Sequence, residues 1–188
     1  MGKIILGSSS PRRADILRKL KLDFEIIPSS YVEQHDQTDF SYEYVENLAY
    51  NKALEVAKNI TETAQIIGAD TIVVINNKIL GKPKDKNDAY NMLKMLSGET
   101  HFVVTSIAVI EAPSLKFKIQ STTTKVTFEE LSDEQIYYYI DNFKPFDKAG
   151  SYGIQELPKG YIKTFDGSLD NVIGLPSDTL LKMLDCTM

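Results

Sequence analysis

Short apolar runs alternate with amphipathic segments along most of the chain, which is the pattern of an α/β protein. The first run, residues 3–6, predicts a strand, and Ser10 followed by Pro11 predicts the start of a helix that ends near residue 20. Further strands are predicted at 24–27, 65–75, 78–80, 101–111, 115–128 and 161–165. Further helices are predicted at about 42–59, 87–96, 133–142 and 177–184. No repeat or linker divides the chain, so we expect a single domain spanning residues 1–188.

Two charged residues break this apolar pattern. Asp70 lies within a run that is too apolar for an edge strand, where an unpaired carboxylate costs roughly several kcal/mol. It is either a site residue or a carboxylate satisfied by neighbouring backbone N–H groups. Lys52 falls on the apolar face of the second predicted helix. From the pattern alone, extension past the core to water is favoured for Lys52 over a position in a cleft.

The composition of two polar segments favours ligand binding over packing in the core. Residues 7–13 combine three serines, a proline and two arginines where a strand ends and a helix begins, which favours an anion site over a solvated turn. Residues 145–155 contain two glycines, an Asp-Lys pair and a glutamine, which favour close ligand approach over an ordinary loop. A third polar loop, residues 28–39, carries the titratable side chains of Glu33, His35 and Asp36.

Composition narrows the functional classes. The 188 residues are 43% hydrophobic and 25% charged with a net charge of −5, which disfavours a broad nucleic-acid surface but permits a local basic pocket. The single cysteine, Cys186, excludes an internal disulfide, and with two histidines it cannot form a usual structural zinc site. No apolar run reaches about 20 residues and no signal peptide precedes the first strand, so we expect no membrane association and a cytoplasmic location.

Isolated charges at element ends indicate the chemistry. Cations that neutralise phosphates, together with carboxylates that hold a hard divalent metal, are typical of a polyphosphate site. The residues concerned are Arg12, Arg13, Lys52, Lys82, Lys148, Glu33, Asp70 and Asp147. The P-loop, dinucleotide-binding and nucleophile-elbow motifs are absent from the sequence. The residues therefore predict an α/β protein that binds or acts on a phosphorylated small molecule with Mg²⁺ or Mn²⁺.

Five ordered motifs carry a family resemblance. Residues 8–13 (SSSPRR), 68–71 (GADT), 81–83 (GKP), 147–155 (DKAGSYGIQ) and 171–176 (NVIGLP) resemble the Maf family over nearly the whole chain. The resemblance implies a fold like that of inosine triphosphate pyrophosphatase, with a long mixed sheet flanked by helices and two lobes around a deep cleft. It also implies metal-dependent hydrolysis of nucleoside triphosphates to the monophosphate and pyrophosphate, often by a homodimer.

The form of residues 147–155 resembles the subgroup that acts on dTTP and UTP, with modified pyrimidine nucleotides as further substrates. Two alternatives stay open. One is the same reaction on another nucleotide such as 7-methyl-GTP, and the other is a nucleotide-binding regulator of cell division without turnover.

The resemblance also implies roles for individual residues. Asp70 matches the proton acceptor that activates water, and Glu33 matches a carboxylate near the metal, which Asp70 would also contact. The positions linked to base choice are Arg12, Thr71 and Gln155. The positions that line the phosphate cleft are Ser8, Arg13, Lys52, Lys82 and Lys148. Two departures are small: Gly7 replaces a common alanine, and Val32 stands where a second acid often precedes Glu33.

Overall fold

The structure is a computed structural model that describes residues 2–33 and 38–184. Its strands are β1 (Lys3–Leu6), β2 (Glu25–Ile26), β3 (Ala64–Ile75), β4 (Lys78–Leu80), β5 (Thr100–Ala112), β6 (Phe117–Phe128) and β7 (Ile162–Asp166). Its helices are α1 (Pro11–Lys19), α2 (Tyr42–Ala57), α3 (Lys86–Leu96), α4 (Asp133–Phe143), α5 (Leu169–Ile173) and α6 (Ser177–Met183). His35, Asp36 and Cys186, which the sequence analysis singled out, lie outside the described residues.

The described strands form one mixed sheet in the order β2-β1-β3-β5-β6-β7, with β4 paired to β3. β1 runs parallel to β2 and β3, and the remaining pairs are antiparallel. β1 pairs with β3 only as far as Ile67, and β4 begins to pair at Val73 on the same side of β3. Between them, no described strand pairs with that edge at residues 68–72. The sheet therefore has a gap at its middle.

Helices cover the two faces of the sheet unequally. α2 packs along one face of β3, with Ala49, Ala53 and Val56 against Ile66. On the other face, α1, α5 and α6 enclose one apolar cluster around Leu17. A second cluster on that face, around Tyr139, is enclosed by α3 and α4. These two clusters are the cores of two lobes, and the gap in the sheet edge lies between them.

Gly68 sets the distance between α2 and the sheet. A Cβ atom built on Gly68 would collide with the Ala49 carbonyl oxygen and lie 2.7 Å from the Ala53 backbone nitrogen. The helix therefore approaches β3 more closely than any larger residue at this position would allow. Small side chains on α2 complete the contact.

Most of the secondary structure agrees with the sequence-based prediction, and the expected α/β class is confirmed. The helix α5 was not predicted, because its five residues are too short for a helical period and follow the turn-forming Gly167. Ser10 occupies the N-cap of α1 as expected, but its hydroxyl makes no capping hydrogen bond. Within the described ranges, every helix is too short or too polar to cross a membrane.

We expect Gly68→Ala to lower the free energy of unfolding by about 1–3 kcal/mol, because α2 must move away from β3 to admit the methyl group. Urea denaturation measures this loss. Gly81→Ala is the matched control, since a Cβ at Gly81 has no heavy atom within 4 Å. Equal stability of the two variants would contradict the proposed close approach.

Candidate active site

A cavity of about 890 Å³ lies at the gap in the sheet edge. Its walls come from the turn before α1, from β3, from the loop after β4 and from the loop around residues 147–156. Every residue that the sequence analysis assigned to a site borders it: Ser8, Arg12, Arg13, Glu33, Lys52, Asp70, Thr71, Lys82, Lys148 and Gln155. The fold thus brings together positions that are up to about 150 residues apart in the chain, in a volume typical of small-molecule sites.

Arg13 joins the turn, the sheet and the loop after α5. Its Nη1 donates to Ser8 Oγ at 3.1 Å, its Nη2 to Thr71 Oγ1 at 3.3 Å and its Nε to the Gly174 carbonyl oxygen at 2.9 Å. Burial lowers the pKa of Arg13, and the nearby negative charge of Asp70 opposes this change. The guanidinium is consequently fixed in direction beside the N-terminus of α1, where a ligand anion is favoured.

Lys52 lies between two carboxylates. Its Nζ is 2.5 Å from Asp70 Oδ1 and 2.6 Å from Glu33 Oε1. The side chain of Asp70 is only 10% exposed, and that of Lys52 is 13% exposed. Burial raises the pKa of Asp70, and the charge of Lys52 and its hydrogen bond oppose that rise. The residue pattern alone favoured extension of Lys52 to water, whereas the family resemblance placed it in the cleft. The structure places Lys52 at the cavity, where two carboxylates are its partners.

A second cluster of charged side chains, Arg12, Asp147 and Lys148, joins the two lobes. Arg12 Nη1 in α1 donates to Asp147 Oδ2 at 2.9 Å, and Lys148 Nζ donates to Asp147 Oδ1 at 2.8 Å. Burial alone would raise the pKa of Asp147, but the hydrogen bonds from Lys148 and Arg12 lower it to about 2. Lys148 is 8% exposed and also lies 3.2 Å from Glu156 Oε2. Asp147 therefore stays charged at neutral pH and holds both cations at the cavity wall.

The glycine-containing loop is fixed from behind by buried tyrosines. The Tyr139 hydroxyl accepts a hydrogen bond from the Gly153 N–H at 3.0 Å, and the Tyr152 hydroxyl lies 2.7 Å from His101 Nε2. Gly150 has a φ of +65° and its N–H donates to the Gly81 carbonyl oxygen at 3.0 Å. Only glycine adopts this conformation readily. The contact ties the loop that carries Lys148 to the loop that carries Lys82.

Three further predicted residues, Thr71, Lys82 and Gln155, border the cavity in different surroundings. Lys82 is exposed and makes no ion pair with any described residue. Thr71 lies on the cavity floor with its Oγ1 2.9 Å from Thr105 Oγ1. Gln155 is exposed at the outer end, beside Arg12. The Lys82 ammonium and the Gln155 amide are thus available to different parts of one ligand.

Glu156 and Asn171 were missed by the sequence analysis as site residues. Glu156 is a partner of Lys148, but an acid in a polar loop carries no signal that separates it from a solvated one. Asn171 is fully buried and donates from Nδ2 to the Val103 carbonyl oxygen and to Thr124 Oγ1, both at 2.9 Å. It fixes α5 beneath the cavity. The position of Asn171 in the family motif NVIGLP was the sequence feature that could have marked it as part of the site.

Glu33 and Asp70 are the described residues that fit a divalent cation. Among residues 2–33 and 38–184, no three His, Cys, Asp or Glu side chains come together as a metal site. Two carboxylates converge on Lys52 Nζ, however, and hard oxygens from one or two carboxylates together with ligand phosphates are the set that Mg²⁺ uses in proteins. The donor chemistry therefore suits a metal that arrives with a phosphorylated ligand.

Comparisons with known proteins show the family and the fold. A family model described as Maf-like protein matches residues 3–187. The chain is 46% identical over 186 residues to the dTTP/UTP pyrophosphatase of Ruminiclostridium cellulolyticum (strain ATCC 35319 / DSM 5812 / JCM 6584 / H10), covering 98% of this chain and 96% of the relative. It is 44% identical over 182 residues to a protein of the same name from Thermoanaerobacter sp. (strain X514), covering 97% and 95%. The solved structure of a HAM1 protein from Coxiella burnetii aligns over 98% of both chains with a TM-score of 0.53 and 17% identity, a likeness of fold alone.

We expect Lys52→Met to lower the free energy of unfolding by about 3–5 kcal/mol, because it leaves the buried Asp70 carboxylate without the lysine ammonium. Adding Asp70→Asn should restore most of that loss. The loss should also shrink as the pH falls, since a carboxyl whose pKa is raised in the folded state destabilises it only when ionised. Urea denaturation of the single and double variants at several pH values measures both effects, and a double variant no more stable than Lys52→Met would contradict the pairing.

Proposed function

Since the chain belongs to the Maf-like protein family, we propose that it hydrolyses nucleoside triphosphates, chiefly dTTP and UTP, to the nucleoside monophosphate and pyrophosphate. The observation that carries the proposal is a single cavity at the sheet gap in which a buried, ion-paired Asp70 is surrounded by lysines and arginines. The printed names of the relatives, at 44–46% identity over nearly the whole chain, support the choice of pyrimidine nucleotides.

The triphosphate tail would bind where the cations and the N-terminus of α1 meet. Ser8 and Arg13 offer an oriented hydroxyl and guanidinium. Lys82 offers an ammonium that has no carboxylate partner among residues 2–33 and 38–184. Lys148 faces the same space from the opposite lobe. These groups would stabilise the negative charge that develops on pyrophosphate as it leaves.

Asp70 would take the proton from the attacking water. Its Oδ1 is bound to Lys52, so that the second carboxylate oxygen is the one available to a water molecule in the cavity. Burial raises its pKa, which makes the carboxylate a stronger base than an exposed aspartate. The hydroxide equivalent would attack the α-phosphorus in line with the bond to the leaving pyrophosphate. The proton passes to Asp70 and the negative charge to the phosphates held by lysine and arginine.

A divalent cation, Mg²⁺ or Mn²⁺, would be held by Glu33 and Asp70 together with substrate phosphates. When bound, it neutralises phosphate charge and polarises the reacting phosphoryl group. The charges at the cavity support a requirement for a metal cation, because Lys52, Lys148 and Arg12 each already form an ion pair with a carboxylate. A tetra-anionic tail therefore requires positive charge beyond what the protein leaves unpaired.

The base would lie at the outer end of the cavity. Arg12 and Gln155 lie beside each other there, and Thr71 also borders the cavity. A guanidinium, an amide and a hydroxyl supply both donors and acceptors for the edge of a pyrimidine. We also propose that the protein acts in the cytoplasm, where nucleoside triphosphates are made, while a homodimer stays a prediction.

With Mg²⁺ or Mn²⁺ present, we expect dTTP and UTP to yield monophosphate and pyrophosphate in equal amounts, and chelation by EDTA to abolish turnover. A panel of nucleoside triphosphates that includes modified pyrimidine nucleotides and 7-methyl-GTP, analysed by chromatography of the products, measures this. Release of orthophosphate alone would exclude attack at the α-phosphorus. Preference for 7-methyl-GTP would support the other family subgroup, and no cleavage of any nucleotide would support a regulator.

We expect Asp70→Asn to reduce kcat at least about 10³-fold, because the amide cannot accept the proton from water. The fold should survive, since Lys52 keeps its ion pair with Glu33. Steady-state kinetics and circular dichroism test this against Asp141→Asn, which removes one charge from the exposed pair with Lys86. Full activity of Asp70→Asn would assign Asp70 to the structure alone.

A further inference from the structure

Glu55 of α2 makes an unusually dense set of contacts with the segment that leads to Glu33. Its Oε2 accepts from the Ser29 hydroxyl at 2.9 Å and from the Ser30 N–H at 3.0 Å, and its Oε1 accepts from the Ser30 hydroxyl at 2.9 Å. The Tyr31 N–H in turn donates to Ser29 Oγ at 3.1 Å. One carboxylate thus fixes two consecutive residues of the segment 27–33, which has no regular secondary structure.

The same helix holds the segment at a second point. Lys52 is three residues before Glu55, so both side chains project from one face of α2. Lys52 binds Glu33 at 2.6 Å, and Glu55 binds the chain three residues earlier. At its start, the Ile27 N–H donates to the Leu6 carbonyl oxygen at 3.1 Å at the end of the sheet. The segment from β2 to Glu33 is therefore held by contacts at Ile27, at Ser30 and at Glu33.

These anchors differ in what they do for the cavity. The contact at Ile27 places the chain on the sheet, and the contact at Lys52 is made by a residue already inside the cavity. Glu55 itself does not border the cavity, although Ser29, which it binds, does. Its hydrogen bonds lower the pKa of the Glu55 carboxyl, first through the Ser30 hydroxyl, so that it is ionised at neutral pH. Charge-assisted bonds of this kind restrict a loop more than neutral ones do.

We propose that Glu55 is a positioning residue for the reaction: by binding Ser29 and Ser30 it holds Glu33 against Lys52 and Asp70. Glu33 borders the cavity on a loop, where its position is not set by a helix or strand of its own. Without the Glu55 contacts, Glu33 samples positions away from the Asp70 carboxylate. This inference deepens the function proposed above and rests on it for its kinetic test, but not for its structural one.

The structural test is amide hydrogen exchange of a peptide covering residues 28–33 in the free protein. Glu55→Ala should increase exchange at Ser30 and Tyr31 by at least about tenfold. It removes the acceptor of the Ser30 N–H, and it releases the Ser29 hydroxyl to which the Tyr31 N–H donates. Glu55→Gln keeps the side-chain length and one carbonyl oxygen, and should give a smaller increase. Glu43→Gln is the matched control, because it removes one exposed negative charge from the same helix and should leave this exchange unchanged. Unchanged exchange in Glu55→Ala overturns the proposal.

The kinetic test is a double-mutant cycle with Glu33. Glu55→Ala should lower kcat/KM for dTTP by about 10–100-fold, as loss of an outer-sphere partner does at a metal site. In a Glu33→Gln background the same change should lower it less than about threefold, because Glu55 acts through Glu33. A full loss in both backgrounds, as a purely structural role would give, overturns the proposal.

The two proposals fail separately. If the wild-type protein cleaves no triphosphate, the proposed function fails, and the cycle is run on the affinity for a non-hydrolysable α,β-imido analogue of dTTP. Faster exchange at residues 28–33, together with coupling of Glu55 to Glu33 in that affinity, then supports the positioning role on its own. Faster exchange without coupling overturns it.

Discussion

The pairing of a buried carboxylate with a helix-borne lysine is the interaction on which the cavity depends. Asp70 lies in the middle of the sheet, where none of the described strands pairs with one edge of β3, so its charge has to be met from outside the strand. The lysine reaches it because α2 lies very close to β3. Gly68, two residues before Asp70 and on the same face, permits that approach. A packing constraint and a charge constraint are therefore met by the same few residues.

The gap in the sheet edge explains why one cavity serves two lobes. β1 ends before it and β4 starts after it, which leaves adjacent positions of β3 open to opposite faces: Asp70 toward α2 and Thr71 toward α1. Groups from both faces consequently reach the same space, although successive strand residues point apart. A continuous edge strand would have separated the Asp70 carboxylate on one face of the sheet from the Thr71 hydroxyl on the other. The interruption of the sheet is thus what assembles the site.

Much of this arrangement could be predicted from the sequence, for identifiable reasons. Asp70 stands out because a charge inside an apolar strand is expensive, and the turn at residues 7–13 stands out because it combines cations with a helix start. The direction of Lys52 could not be predicted from periodicity, because a lysine on an apolar face has two solutions and only the position of Glu33 and Asp70 decides between them. Glu55 and Glu156 gave no signal at all. Their roles arise from loops whose path the residue pattern does not encode.

The Arg12–Asp147 ion pair links the two lobes at the cavity wall. Arg12 extends from the first turn of α1 in one lobe, and Asp147 belongs to the loop held by Tyr139 of the other. A ligand that contacts Arg12 at the outer end of the cavity therefore meets a guanidinium whose position depends on the separation of the lobes. Because Lys148 shares the Asp147 carboxylate, a displacement of the loop would release both cations together. One carboxylate thus couples the positions of two cavity cations that come from different lobes.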